Sequence, residues 1–403
     1  MTYAGGGVGR LPGPQPASRL THRLDTRRLA LGAGALCIAG MVAAVVAARA
    51  DRGSGGTPFA PPGNWTPTFW VGVITAFCAY AAGVVLVART AIAPRAALLI
   101  AAAVQIAPLA DRVLFSGDVR TYVTYGRSPT PYGGSGINSD VYGPLWTAIS
   151  RVAGNVGNGT FVLRALAACS VIAMTELVSR LAARKALAIA FLGWNPLVAF
   201  HFAGGGHNDA LMMALVVGAI VLAESARAQL GGAAWATSVF VKWSSVPFYP
   251  LWAIDRLRRR TSIGLVGSLI AGAALAALSY ALYGWTWLHS LDTLRAIERV
   301  PASFGLLAWL DDLGISNQRS LQLSQAAFLV ALAFFAVRAW RGKLRLGLAA
   351  GTLTLLEPRL EPWYAVWCVA LSAADDEDRW GKLLAVVLSG LLLSDVLTSV
   401  ANA

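Results

Sequence analysis

Apolar runs of about 20 residues recur from end to end of this chain, broken by short polar stretches rich in Arg, Gly and Pro. Each run is long enough to cross a bilayer as a helix. The predicted spans lie at approximately 29–49, 67–88, 94–114, 159–180, 184–201, 209–225, 230–254, 262–283, 321–340, 344–357, 362–374 and 381–399. The pattern therefore predicts an all-α polytopic membrane bundle of about 11–13 membrane segments with outer-face loops. Residues 1–28, dense in Gly, Pro and Arg, are expected to form a disordered cytoplasmic N-terminus, and 29–403 a single transmembrane domain. The run at 230–254 holds Lys242, Pro247 and Pro250. Proline breaks a helix interior, so two short helices that enter and return are expected there. Ala48-Arg49-Ala50 resembles a signal cleavage site, but the run before it exceeds the usual signal core of about 7–15 residues, so an uncleaved first span is expected.

The formal net charge of +13 does not point to nucleic acid, because of where the charge sits. Arg and Lys cluster at alternate helix ends: Arg23, Arg27 and Arg28; Arg89 and Arg95; Arg180, Arg184 and Lys185; Arg256 to Arg260; then Arg338, Arg341, Lys343 and Arg345. This is the positive-inside pattern, and it sets orientation. It places the N-terminus in the cytoplasm and the C-terminus outside. The acidic run Asp375 to Asp378 becomes an inner loop. Asp118, Asp140, Asp209, Asp292, Glu298, Asp311, Asp312, Glu357 and Glu361 fall on or near the outer face, as do the longer loops at roughly 115–158 and 284–320. Chemistry is therefore expected on the extracytoplasmic side of a multi-pass cell-membrane protein. Cys37, Cys78, Cys169 and Cys368 lie in apolar runs without metal-ligand spacing and read as buried small hydrophobes. There is no HExxH, P-loop or hydrolase elbow, so no metal site and no cofactor is expected.

Four polar clusters carry candidate chemistry. In Ser116-Gly-Asp118-Val-Arg120-Thr-Tyr122-Val-Thr-Tyr125, a helix would bring Asp118, Tyr122 and Tyr125 to one face. A carboxylate at a membrane mouth is costly and is a functional candidate. Beside aromatic hydroxyls it suits sugar recognition and proton abstraction. An interfacial acid paired with Arg120 or Arg112 fits the same spacing equally well. The second cluster, Tyr132 and Tyr142-Gly-Pro-Leu-Trp146, requires a shaped loop leading into an interfacial helix.

The third cluster, Trp194-Asn-Pro196 followed by Gly204-Gly-Gly206-His207-Asn208-Asp209, is the most specific. Its glycines end one helix and His-Asn-Asp opens the next, where free N–H groups and the helix dipole suit an anion such as phosphate. Asp209 fits an N-cap equally well. His207 is suited to donate to a phosphate or to orient Asp209. The fourth cluster joins Lys242 with Glu357-Pro-Arg359-Leu-Glu361-Pro-Trp-Tyr364. Lys242 must pair, bind an anion or snorkel outward. Arg359, between two acids, fits an ion pair or a lipid phosphate. Arg295, Glu298, Arg299, Asp311 and Asp312 read as solvated loop charges.

These motifs, in this order, resemble the GT-C-fold glycosyltransferases that use polyprenyl-phosphate sugars, most closely the actinobacterial polyprenol-phosphomannose-dependent alpha-1,6-mannosyltransferases. The resemblance covers roughly 94–370 and rests on Asp118-Val-Arg-Thr-Tyr122, Pro131-Tyr132, Tyr142-Gly-Pro-Leu145, Trp194-Asn-Pro196, His207-Asn-Asp209 and Pro362-Trp-Tyr364. Arg120 stands where such motifs commonly carry an aromatic residue. The resemblance implies transfer of mannose from a lipid-phosphate donor to a cell-envelope glycan or lipoglycan acceptor, with inversion and Asp118 as general base. His207, Asn208, Asp209, Lys242 and Arg359 are then expected at the donor phosphate or sugar. Tyr122, Tyr125, Tyr132, Tyr142 and Glu361 are expected on the acceptor or loop side. A transporter or flippase of lipid-linked saccharides is the rival, but it calls for polar groups near the midplane rather than at the outer mouth. A non-catalytic membrane scaffold would tolerate loss of Asp118, His207 and Asp209.

Overall fold

The computed structural model describes residues 17–51, 65–111, 116–134, 139–300 and 305–401. Among them the chain is helical, with no strand. The helices are α1 (Ala17–Asp51), α2 (Thr66–Arg89), α3 (Pro94–Ile106), α4 (Asp118–Arg127), α5 (Pro144–Gly154) and α6 (Gly159–Leu181). There follow α7 (Lys185–Gly193), α8 (Pro196–Ala199), α9 (Asp209–Glu224), α10 (Ala228–Val241), α11 (Phe248–Arg258) and α12 (Leu265–Tyr283). The remainder are α13 (Ser290–Ile297), α14 (Leu306–Asp312), α15 (Asn317–Trp340), α16 (Leu346–Leu356), α17 (Ala365–Ala373) and α18 (Arg379–Ala401). Five helices among the described residues are long and apolar enough to cross a membrane, six if a bent pair counts as one. The spans expected at 94–114, 344–357 and 362–374 are realised as shorter apolar helices. Helix α1 takes in part of the stretch expected to be disordered, while residues 1–16 lie outside the described ones.

Two large cores hold the bundle, with a small third cluster of Tyr132, Phe240, Tyr283 and Trp287 beside them. In one, α1, α2, α3 and α7 close around Met41, Phe69, Val104 and Trp194. Gly40 and Gly72 let α1 and α2 touch: a Cβ on Gly40 would stand 2.7 Å from the Gly72 carbonyl oxygen, and one on Gly72 2.8 Å from that of Gly40. Small residues at such crossings supply close packing where the hydrophobic effect supplies little. The larger core gathers α4 to α6, α9 to α11 and α16 to α18 around Leu163, Met174, Met213, Trp235 and Trp367. Cys37 and Cys368 are buried, but Cys78 and Cys169 are exposed. Both sit on outward faces of α2 and α6, which an apolar sequence alone does not distinguish from inward ones.

Two breaks shape the site. Helices α7 and α8, with the π-helical turn Phe200–Gly204 that follows, bend by 52° at Trp194-Asn195. Pro196 ends the first hydrogen-bond ladder. Asn195 Oδ1 accepts from the Leu197 N–H at 3.0 Å, and Gln105 Nε2 donates to the freed Gly193 carbonyl at 3.0 Å. The second break is the expected one at Lys242, whose extended backbone (φ −156°, ψ 131°) separates α10 from a short 3-10 turn and α11. The 16 residues of α9 put its ends about 24 Å apart. Glu224, at its far end, meets Arg256 at 2.8 Å. Arg345 likewise pairs with Asp375 at 3.3 Å, so the acidic run 375–378 lies against the Arg-rich end. Asp209 opens the other end, where the candidate acids collect.

Candidate functional site

Asp118 is the first residue of α4, and its backbone N–H donates to Ser116 Oγ at 3.1 Å. The amphipathic pattern of this helix turns Val119, Tyr122 and Val123 into the core. Tyr122 is held edge-on by the rings of Tyr142 and Trp146, with centroids 4.8 and 5.3 Å away. Protein encloses Asp118 on most sides, yet 34% of its side-chain surface stays open, enough for a substrate hydroxyl to approach. Burial raises its pKa to about 6, with a smaller push from Glu361 against the opposing pull of Lys242 and Arg359. A carboxyl poised near 6 is suited to act as a base at neutral pH. No ion pair joins Asp118 to Arg120, which is exposed, and Arg112 lies outside the described residues.

His207 approaches Asp118 instead, its Nδ1 lying 3.5 Å from Oδ2 without hydrogen-bonding geometry. The His207 ring stacks on Trp363 at 3.7 Å and 15°. Full burial pushes its pKa well below 6.5, so the imidazole is neutral. The carboxylate it approaches is that of Asp118. Its place is set by the glycine turn. Gly206 has φ +75°, and a Cβ there would lie 2.8 Å from Val119 Cγ2, so glycine lets the turn close on α4. Asn208 is the N-cap of α9 but makes no capping bond, and both polar atoms of its buried amide lack a partner.

Asp209 is not the N-cap; it is the first helical residue, fully buried. Its carboxylate accepts from Lys242 Nζ at 2.8 and 2.9 Å and from Trp367 Nε1 at 2.8 Å. Lys242 also sits 4.6 Å from the Tyr364 ring centre. Helices α9 and α17 and the break after α10 are therefore joined at one buried charge pair. Arg359 pairs with Glu361 and keeps 39% of its side chain open, which makes it the more accessible cation here.

The loop-side tyrosines play different parts. Tyr132 is fully buried, bonded to Thr147 Oγ1 at 2.6 Å and to the Tyr142 carbonyl at 3.1 Å. Tyr125 donates to the Ser139 carbonyl at 3.3 Å, while Tyr142 remains half-buried over Tyr122. Asp140 holds this loop together by accepting from Thr147 Oγ1 at 2.6 Å and from the Tyr142 N–H at 2.9 Å. Burial raises its pKa to about 7, against the lowering effect of those bonds.

Sequence reasoning missed Arg164, a charge inside an apolar run, which is itself a signal. It is buried and donates to the carbonyls of Ala203 (2.6 Å), Asp111 (2.7 Å) and Pro108 (2.5 Å). It also missed the supporting parts of Trp363 and Trp367, which no local pattern assigns. Among the described residues, no group of three or more His, Cys, Asp or Glu side chains stands ready to hold a metal.

Two family models match this chain. One, described as alpha-(1->6)-mannopyranosyltransferase, N-terminal domain, matches residues 138–256; the other, the MptB C-terminal domain, matches residues 301–399. His207 to Asp209 and Lys242 fall in the first match, and Arg359 to Trp367 in the second; Asp118 precedes both. The chain is similar to alpha-(1->6)-mannopyranosyltransferase A of Mycobacterium tuberculosis, 26% identical over 59% of this chain and 53% of that protein. It is also similar to a probable alpha-(1->6)-mannopyranosyltransferase of Mycolicibacterium smegmatis, 26% identical over 58% and 52%. The chain thus spans about half the length of these curated relatives. No solved structure gives a significant match.

Proposed function

This chain belongs to the alpha-(1→6)-mannopyranosyltransferase family, and from that premise we propose that it moves a mannosyl residue from a polyprenyl-phosphate donor to a glycan or lipoglycan acceptor, on the extracytoplasmic face. The observation that carries this reading is Asp118: a carboxylate with a third of its side chain open, a pKa near 6 and a neutral His207 against it. In the proposed step, Asp118 takes the proton of the acceptor hydroxyl. The acceptor oxygen bonds to the anomeric carbon as the bond from that carbon to the phosphate oxygen breaks, and the phosphate leaves with the electron pair. One displacement inverts the centre, so a beta-linked donor gives an alpha-linked product.

Phosphate is already a good leaving group, so the step needs charge stabilisation more than acid catalysis. Arg359 supplies an open guanidinium, although it shares its charge with Glu361. The unpartnered amide of Asn208 at the start of α9 offers neutral donors beside a helix N-terminus. The Lys242–Asp209 pair is formally neutral and acts as the framework on which the turn and α17 are set. His207 is a positioning residue for Asp118. The candidate acids and bases gather around the Asp209 end of α9, away from its Glu224 end, which favours the enzyme over a transporter.

The test is transfer by purified protein in lipid nanodiscs, from radiolabelled polyprenyl-phosphate-mannose to a panel of mannosides, beside Asp118→Asn. The expected result is a labelled mannoside that is lost in the variant. Wild-type protein that neither binds the donor nor labels any acceptor would overturn the reading.

A further inference from the structure

Helix α15 begins with three glutamines, Gln318, Gln322 and Gln325, at spacings of four and three, which places them on one face. Glutamine is unusual two turns into a membrane-length apolar helix. This face turns toward Arg295, Glu298 and Arg299 at the end of α13, and together with Leu321 they line a cavity of about 620 Å³. That volume is within the roughly 300–1,000 Å³ of small-ligand sites. Asn317 Nδ2 donates to the Arg299 carbonyl at 3.2 Å and fixes the two walls against each other. The two arginines are exposed, as expected of solvated loop charges, and with the half-buried Glu298 they line an open concavity.

The cavity lies beside the candidate site. Trp243, adjacent to Lys242, donates to Ser290 Oγ at 3.2 Å and stacks on Trp287 at 6.0 Å and 7°, anchoring the start of α13. On the other wall, Ser324 of α15 donates to the Leu356 carbonyl, next to the Glu357 to Glu361 segment that carries Arg359. Both walls of the cavity are thus tied to segments that carry candidate site residues, Lys242 on one side and Arg359 on the other.

We propose that the cavity between α13 and α15 is a subsite for a neutral oligosaccharide, the part of the acceptor glycan remote from the reacting hydroxyl. This rests on the transferase reading and adds to it a determinant of acceptor length. The chemistry selects a polyol over an anion. A glutamine amide carries both donors and an acceptor, as paired sugar hydroxyls require; Gln325 spends one donor on Glu298 and so holds that carboxylate in the wall of the cavity. Glu298 stands in the cavity, and Arg295 already meets Asp292 at 3.2 Å, so the positive charge is partly offset. Leu321 gives the C–H face of a sugar ring an apolar contact.

The experiment compares wild type with the double variant Gln318→Ala/Gln322→Ala, and with Gln325→Ala as a second variant; alanine keeps the helix. Calorimetry measures binding of alpha-1,6-linked mannotetraose. Transfer assays compare mannotetraose with methyl alpha-mannoside as acceptor. The expected result is tetrasaccharide binding weakened about tenfold or more, with KM for mannotetraose rising alike and KM for methyl mannoside unchanged. No binding by wild type, equal affinity in wild type and both variants, or an equal rise in KM for both acceptors overturns the subsite. So does a loss that affects binding of phosphatidylglycerol vesicles while leaving tetrasaccharide binding intact. Calorimetry reads the cavity without turnover. Wild type that binds the tetrasaccharide, loses it in the variants and transfers nothing overturns the reaction and upholds the subsite.

Discussion

Lys242 Nζ lies within 2.9 Å of both carboxylate oxygens of Asp209, two residues 33 apart in sequence that meet in the protein interior. The pair explains why a helix breaks where it does. Lys242 leaves α10 with an extended backbone, and its side chain crosses to the first turn of α9, where Trp367 also donates to the same carboxylate. A cation that looks ready for a phosphate in the sequence is already matched in the fold.

Removing one member of that pair leaves the other charge buried and uncompensated. Lys242→Met is expected to cost about 3–5 kcal/mol of stability. Combining it with Asp209→Asn should cost less than the sum, because with both charges removed neither is left buried without its partner. A double-mutant cycle on thermal unfolding of the solubilised protein checks this; strict additivity would rule out direct coupling.

Asp118→Asn keeps size and shape but removes the base. Mannosyl transfer should fall by about 10²–10⁴-fold in kcat while donor binding persists. The pKa of about 6 also sets a pH dependence in wild type. Asp118 is protonated and inactive below that value and ionised above it, so activity should rise as pH passes through about 6. A pH–rate profile without that limb would remove Asp118 from the proton transfer.

Gly206→Ala places a side chain in the left-handed region and against Val119. The backbone strain alone is about 1–2 kcal/mol, and the contact adds to it. Because Val119 adjoins Asp118, the loss of transfer should exceed that of Gly218→Ala, where the nearest atom to an added Cβ is 3.7 Å away. Parallel thermal melts and transfer assays make the comparison.

Asp140 supplies a test of the loop. Its folded pKa of about 7 is above the ordinary 3.8, so the fold prefers the neutral acid. That contribution is complete below about pH 4 and is lost as pH rises through about 7. The melting temperature of wild type should therefore decline across this window more than that of Asp140→Asn. Identical pH profiles for the two proteins would show that Asp140 does not titrate in it.

Much of the frame was legible in the chain. The apolar runs gave the all-α membrane bundle, Asp118 to Tyr125 gave a helix, and the prolines after Lys242 gave a broken segment. These features are local, set by spacing within one or two turns. The partners were not legible. His207 stacks on Trp363 and Asp209 binds Trp367, more than 150 residues away, and only packing selects those rings from the 14 tryptophans. Asp209 fits an N-cap on paper, but the register of α9 gives that position to Asn208 and sends Asp209 into an ion pair.

Arg164 has a mechanical consequence. By gripping Pro108, Asp111 and Ala203 at once, it rivets the segment before Asp118 to the turn before His207. Two stretches of chain that lead toward the candidate site are thus fastened to a single side chain of α6. Losing that one guanidinium would strand three carbonyls at once, so the cost would fall on both stretches together.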